Sequence, residues 1–198
     1  MDKQNKVTGV VLAGGLARRM NKQDKGLIIY NNRPMVSYAV EAMSLVADPV
    51  FINANRNLQA YMQFGCRVIA DQTDTFDGPL AGVLSAMSHA NTDNLIVMPC
   101  DSPLIKAEHL KKLLLSLQKN NMEIAVAFDG QRMHPVFLAL KTSLQNSLKQ
   151  YLQQGNRKID LWLQQHKLIK VDFSQQAEVF LNINTLSELE TLEKSKDA

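Results

Sequence analysis

The chain has 198 residues, 45% of them hydrophobic, with 22 basic against 19 acidic side chains and a formal net charge of +3. That length suits one domain spanning 1–198. The hydrophobic fraction is too high for a disordered chain, and the small basic excess lacks the clustered basic face of a nucleic-acid binder. The polar start MDKQNKVTG has no apolar stretch for a signal peptide, and no apolar run reaches the length of a membrane span. The expectation is a cytoplasmic protein with no nucleic-acid or membrane partner.

Taken in order, Val7–Leu12 is a β-branched run that ends at Gly14-Gly15, which reads as a buried strand and a loop. A helix follows Pro34, from Ser37 to Val46, and Pro49–Ala54 is the next strand. A short helix at Leu58–Phe64 leads to a strand at Cys66–Asp71. Leu80, Val83, Leu84 and Met87 share one helical face, which predicts a helix over Leu80–Ala90. Strand Leu95–Cys100 ends at Asp101, and Leu110, Leu113, Leu114 and Leu117 repeat the helical spacing. Strands Glu123–Phe128 and Met133–Leu140 flank Asp129-Gly130 as a hairpin near one edge of the sheet. Helices at Ser143–Gln154 and Lys158–Gln165 precede strands at Leu168–Phe173 and Val179–Ile183, and Thr185 with Glu188 forms a capping box for a last helix.

Alternating strands and helices predict an α/β fold. The expectation is a three-layer α/β/α sandwich around a mostly parallel, Rossmann-like sheet with a small antiparallel element. In such sheets ligands bind beyond the carboxyl ends of the strands. Those ends carry Gly14-Gly15, Asn53, Asp71, Asp101 and Asn182. The nucleotide-binding half is expected at about 6–101 and the acceptor-binding half at about 102–198.

The first crossover, LAGGLARRMNKQDKGL, carries the strongest chemical signal. Two glycines let the backbone turn tightly and bring N–H groups toward an anion. Arg18, Arg19 and Lys25 add three cations, the combination a triphosphate needs. Neither GxxxxGK[ST] nor GxGxxG is present at this turn, which argues against a P-loop NTPase and an NAD(P)-dependent oxidoreductase. Asp101 is placed either to hold Mg²⁺ on a phosphate or to serve as a turn aspartate before Ser102-Pro103. Asp71 ends its strand in the same way, with a turn residue as the alternative, and Asn53 can either read a base edge or cap a loop. Gly78 and Gly82 either open a helix N-terminus to phosphate or serve a turn and close helix packing. Asn182 and Asn184 share a face if the segment is extended. His134 reads as a loop histidine, with a cleft imidazole as the alternative. Cys66 and Cys100 read as free buried thiols. No Ser/His/Asp or Cys/His set is present, and transfer onto a phosphate needs none, because the acceptor is already an anionic nucleophile.

VVLAGGLARRM, DKGL, INANRN, VIAD ahead of GPLAG, PCDSP and NINT occur together and in order over nearly the whole chain. The set resembles the GT-A-like nucleotidyltransferases, and within them the bacterial molybdenum cofactor guanylyltransferase family. The resemblance implies transfer of GMP from GTP to the terminal phosphate of molybdopterin with Mg²⁺, and contacts with proteins that supply or receive the cofactor. It implies that Leu12, Ala13, Gly14 and Gly15 meet the nucleotide, with Asn53 and Asp71 completing its pocket. Lys25 and Arg19 would act on the phosphates, and Asp101 would ligate the metal. Gly78 and Gly82 would shape the cleft, and Asn182 and Asn184 would lie on the molybdopterin side. Where that family often has RMGG, this chain has Arg19-Met20-Asn21-Lys22. The competing readings are a cytidylyltransferase for the same cofactor, a sugar-phosphate nucleotidyltransferase and a nucleotide-binding module without catalysis. Gln23-Asp24 ahead of Lys25, in place of proline, argues against the sugar-phosphate enzymes.

Overall fold

The computed structural model describes residues 6–14, 24–72 and 78–183. Strand β1 is Val7–Leu12, and all six of its residues are buried. A strand with no exposed face can only lie between two layers of helices. The chain continues through β2 (Ile29–Tyr30), β3 (Arg33–Pro34), α1 (Met35–Ser44), β4 (Val50–Asn53), α2 (Leu58–Met62), β5 (Arg67–Ile69) and α3 (Pro79–His89). It then forms β6 (Asn94–Pro99), α4 (Ala107–Lys119), β7 (Ile124–Phe128), β8 (Met133–Lys141), α5 (Gln145–Gln153), α6 (Ile159–Leu163) and β9 (Leu168–Asp172).

Seven strands form one sheet in the order β5-β4-β1-β6-β8-β7-β9. The first four run parallel, β8 runs antiparallel to both β6 and β7, and β9 is parallel to β7. Side chains alternate across the strands and divide the interior into two cores. Val11, Ile52, Ile96, Met98, Ala125 and Phe137 face α1 and α4. Val10, Phe51, Leu95, Val97, Val126 and Leu138 face α3, α5 and α6. This is the expected three-layer α/β/α sandwich. Each fully buried aliphatic side chain contributes roughly 1.5–3 kcal/mol, so the two cores supply most of the driving force.

Three elements depart from the sequence reading. Residues 29–34 form a small antiparallel hairpin, pairing Ile29 with Pro34 and Tyr30 with Arg33. Asn31 and Asn32 both have positive φ, 45° and 62°, which a two-residue turn of this kind requires. Second, Val179–Ile183 is not a strand. Ser174–Phe180 forms 3₁₀ turns. Leu181 N–H donates to Glu178 O and Ile183 N–H to Asp101 O, so this apolar run finds its hydrogen bonds outside the ladder. Val179 and Phe180 still supply apolar surface to the core. Third, the helix expected at Lys158–Gln165 covers only Ile159–Leu163. The capping box at Thr185 lies outside the described residues.

His134 is buried in β8 rather than in a loop. Its ring stacks on Phe180 at 4.5 Å, and its Nε2 pairs with Asp129 Oδ2 at 2.7 Å. The Asp129 carboxylate also accepts the Arg132 and Gln131 backbone N–H groups. These bonds, with His134 adding to them, hold its pKa well below the usual carboxylate range.

His109, buried at the start of α4, accepts the Lys106 N–H on Nδ1 at 2.9 Å, a bond available only to the unprotonated nitrogen. Burial holds its pKa, and that of His166, below the ordinary 6.5. The native state therefore binds fewer protons than the unfolded chain. This contribution to stability is complete above about pH 6.5 and is lost as pH falls from there toward the lower folded values. The melting temperature is expected to hold above pH 7.5 and to drop by pH 5.5. His109→Asn, which can still accept the Lys106 N–H, should flatten that slope. An unchanged slope removes His109 from the account.

Candidate functional site

Strands β5, β4, β1 and β6 lie side by side and in parallel, so their carboxyl ends open on one edge of the sheet. Pairing runs one step past each strand. Ala13 N–H donates to Asn53 O (2.8 Å), Cys100 N–H to Leu12 O (3.0 Å) and Ala54 N–H to Ile69 O (3.0 Å). These bonds bring Leu12, Ala13, Gly14, Asn53 and Asp101 to one rim.

Two clusters form there. In the first, Asn53 Nδ2 donates to Asp71 Oδ1 at 2.9 Å and Asn55 Nδ2 to Asp71 Oδ2 at 2.7 Å. Asp71 N–H returns a bond to Asn55 Oδ1 at 2.8 Å, so the Asp71–Asn55 pair closes a ring. Glycines border this cluster. An added Cβ at Gly82 would lie 2.3 Å from Asn53 Oδ1 and 2.8 Å from Leu12 Cδ2. One at Gly14 would lie 3.5 Å from Asn53 Oδ1. Gly82 is thus required by close approach. Gly78 differs: its φ of +69° sets the turn into α3, with Pro79 at the first helical position.

The second cluster is ionic. Lys25 opens a 3₁₀ turn, Lys25–Leu27, and its Nζ lies 3.0 Å from Asp101 Oδ2. Asp101 is 7% exposed, and its Oδ1 is buried with no hydrogen-bond partner among the described residues. A buried carboxylate oxygen with no donor is costly unless a cation meets it, and a hard divalent cation suits an oxygen ligand. No cluster of three metal-ligating side chains occurs among the described residues. Asp101 fits a metal held mostly by substrate phosphates and water, as Mg²⁺ commonly is. Ser102 Oγ–H donates to Asn182 Oδ1 at 2.6 Å, which places Asn182 beside Asp101.

The structure therefore gathers Leu12, Ala13, Gly14, Lys25, Asn53, Asp71, Gly82, Asp101 and Asn182, with Gly78 at the head of α3. Gly15, Arg18, Arg19, Asn21, Lys22 and Asn184 lie outside the described residues. Sequence reasoning missed Asn55, Asp24, Arg56 and Asn57. The signal was available, since INANRN puts polar side chains at a strand end and Asp24 directly precedes Lys25. Both cysteines are free, but only Cys100 is buried as expected; Cys66, just before the short edge strand β5, is half-buried. Burial pushes the Cys100 thiol far up, so it is inert. Among the described residues no helix is long and apolar enough to cross a membrane.

A family model described as MobA-like NTP transferase domain matches residues 9–169. The molybdenum cofactor guanylyltransferase of Shewanella piezotolerans (strain WP3 / JCM 13877) is 43% identical over 189 residues, which cover 96% of this chain and 93% of that protein. The protein of the same name from Shewanella halifaxensis (strain HAW-EB4) is 45% identical over 179 residues, 90% of each chain. The crystal structure of molybdopterin-guanine dinucleotide biosynthesis protein A from Archaeoglobus fulgidus superposes with a TM-score of 0.81. It covers 96% of this chain and 98% of its own at 22% identity, a likeness of fold alone.

Proposed function

This chain belongs to the family of MobA-like NTP transferase domains, and on that premise we propose that it transfers GMP from GTP to the terminal phosphate of molybdopterin. An acceptor phosphate oxygen forms a bond to the α-phosphorus of GTP. The bond from that phosphorus to the bridging oxygen breaks, and pyrophosphate leaves with the electron pair. The observation that carries this reading is the Asp101 carboxylate just past the carboxyl end of β6, with Oδ2 on Lys25 and a buried Oδ1 without a donor among the described residues.

Most of the work is alignment and charge neutralisation. The backbone of Leu12–Gly14, with Gly15, lies against the nucleotide. Asn53 and Asp71 hold the base and ribose, and the Gly82 Cα lets them approach. Lys25, with Arg19, neutralises the phosphates of the leaving group. Asp101 holds Mg²⁺, which when bound supplies Lewis-acid neutralisation of the triphosphate oxygens. Asn182, oriented by Ser102, lies with Asn184 on the molybdopterin side, so the acceptor half is about 102–198. Transient contacts with proteins that supply or receive the cofactor, and a cytoplasmic location, belong to the same proposal.

A thermal-melt panel with Mg²⁺ and GTP, CTP, ATP, UTP or NAD tests this reading. Ligand at a hundredfold its dissociation constant adds about 2.7 kcal/mol, on the order of 5–10 °C for a chain of this size. A shift with GTP alone is expected. A shift with CTP instead overturns the base assignment and keeps the transfer chemistry. No shift with any triphosphate overturns the nucleotide reading.

A further inference from the structure

The proposed chemistry uses Lys25 and Asp101 and leaves a third charged group beside them unexplained. Asp24 immediately precedes Lys25 and is 6% exposed. A buried carboxylate is costly unless both oxygens are met. Here both are met from one short segment. Arg56 Nη2 donates to Asp24 Oδ1 at 2.5 Å, and Asn57 Nδ2 to Asp24 Oδ2 at 2.9 Å. Asn57 has a φ of 49°, a left-handed conformation that asparagine tolerates better than most residues.

That segment continues directly from β4. Asn53 and Asn55 turn toward Asp71, while Arg56 and Asn57 turn toward Asp24. The run Asn53–Asn57 therefore holds one carboxylate at each end, one in the base cluster and one next to the phosphate lysine. The turn after Asp24 is fixed as well. Leu27 N–H donates to Asp24 O at 3.0 Å. An added Cβ at Gly26 would lie 3.0 Å from the Tyr61 hydroxyl and 3.2 Å from Cys100 Sγ, so the turn is pressed against α2 and the end of β6. Gripped at Asp24 and backed at Gly26, the intervening residue has little freedom in where its side chain starts.

We propose that Asp24 and Arg56, with Asn57, are positioning residues for Lys25: their ion pair ties the turn Lys25–Leu27 to the end of β4 and so aims Lys25 Nζ at Asp101 and the triphosphate. The inference rests on the phosphate role given to Lys25 above. A pair that served stability alone would lower the melting temperature and act equally with or without Lys25. A positioning pair acts through Lys25 and loses its effect when Lys25 is gone.

The test is a double-mutant cycle on the full chain with Asp24→Asn, Lys25→Ala and both together. It reads the rate of GMP transfer to molybdopterin, the dissociation constant for GTP with Mg²⁺ and the melting temperature. Asp24→Asn is expected to slow transfer at least about tenfold in the parent and less than about twofold in the Lys25→Ala background. Equal losses in the two backgrounds, or no loss in the parent, overturn the proposal. Should Asp24→Asn fail to fold, Arg56→Ala is read in the same cycle, because the Arg56 side chain is 41% exposed. Added guanidinium is then expected to restore its rate only where Lys25 is present, and restoration in both backgrounds overturns the proposal. A parent protein that binds GTP but transfers no GMP overturns the proposed reaction instead. The clamp is then decided by the same non-additivity in the GTP dissociation constants.

Discussion

Asp101→Asn is expected to cut GMP transfer by about 10²–10³-fold, the cost of removing one preorganised charge-stabilising group from such a site, while the melting temperature stays within a few degrees. The two expectations come from the same geometry. Oδ2 pairs with Lys25 at 3.0 Å and Oδ1 is buried with no partner among the described residues. An asparagine keeps the volume and can accept a hydrogen bond, but it brings no charge to a metal and offers Lys25 no counter-ion. Folding loses one ion pair and gains relief from a buried negative charge, two terms that oppose each other. The fold should therefore stand while the chemistry goes. Steady-state transfer from GTP beside a melt of the same sample checks both halves. A variant that turns over normally takes Asp101 out of the metal role, and one that unfolds makes it a structural residue.

Gly82→Ala should act on nucleotide binding more than on turnover. An added methyl would stand 2.3 Å from Asn53 Oδ1 and 2.8 Å from Asn53 Cγ, so the amide must rotate away. Rotation breaks the bond from Asn53 Nδ2 to Asp71 Oδ1 and disturbs the pocket edge assigned to the guanine nucleotide. The helix gains by roughly 0.5–1 kcal/mol, since alanine is the better helix former. The overpacking costs typically 1–3 kcal/mol. With that strain expressed at the site, KM for GTP should rise roughly tenfold to a hundredfold, with kcat reduced less. The GTP dependence of the transfer rate measures this. An unchanged KM means that Asn53 moves without consequence for the nucleotide.

The two variants separate the clusters at the strand ends. One removes the carboxylate that pairs with Lys25 and is assigned to the metal, and the other displaces an amide in the group around Asp71. The residues between them, Arg56 and Asn57 on Asp24, join the two clusters in space.

Much of the fold was legible in the sequence because the period of hydrophobic side chains is a local property. The run VTGVVL has no polar face to expose, which marks β1 as a strand between two layers. The spacing of Leu80, Val83, Leu84 and Met87 marks α3 within one residue of its observed bounds. The polar residues expected at strand ends, Asn53, Asp71 and Asp101, do stand together along the carboxyl edge of the parallel strands. The failures are equally physical. Val179–Ile183 is apolar enough for a strand, but β9 is the outermost strand of the sheet. The run buries Val179 and Phe180 in 3₁₀ turns and borrows Asp101 O for the Ile183 N–H.

By itself, the sequence determined the alternating α/β architecture, the run of glycines and cations after β1 and the carboxylate at the end of β6, because each rests on residues adjacent in the chain or on a local period. Only the tertiary structure decided which carboxylates face what. Asp24 and Asp101 are 77 residues apart in number, and both flank the single turn that carries Lys25. From the sequence Asp71 could be a site residue or a turn residue, and it is held by two amides, Asn53 at the end of β4 and Asn55 just beyond it. These pairings depend on strand order, which sets four strand ends side by side, and no local pattern encodes which distant side chain will stand 3 Å away.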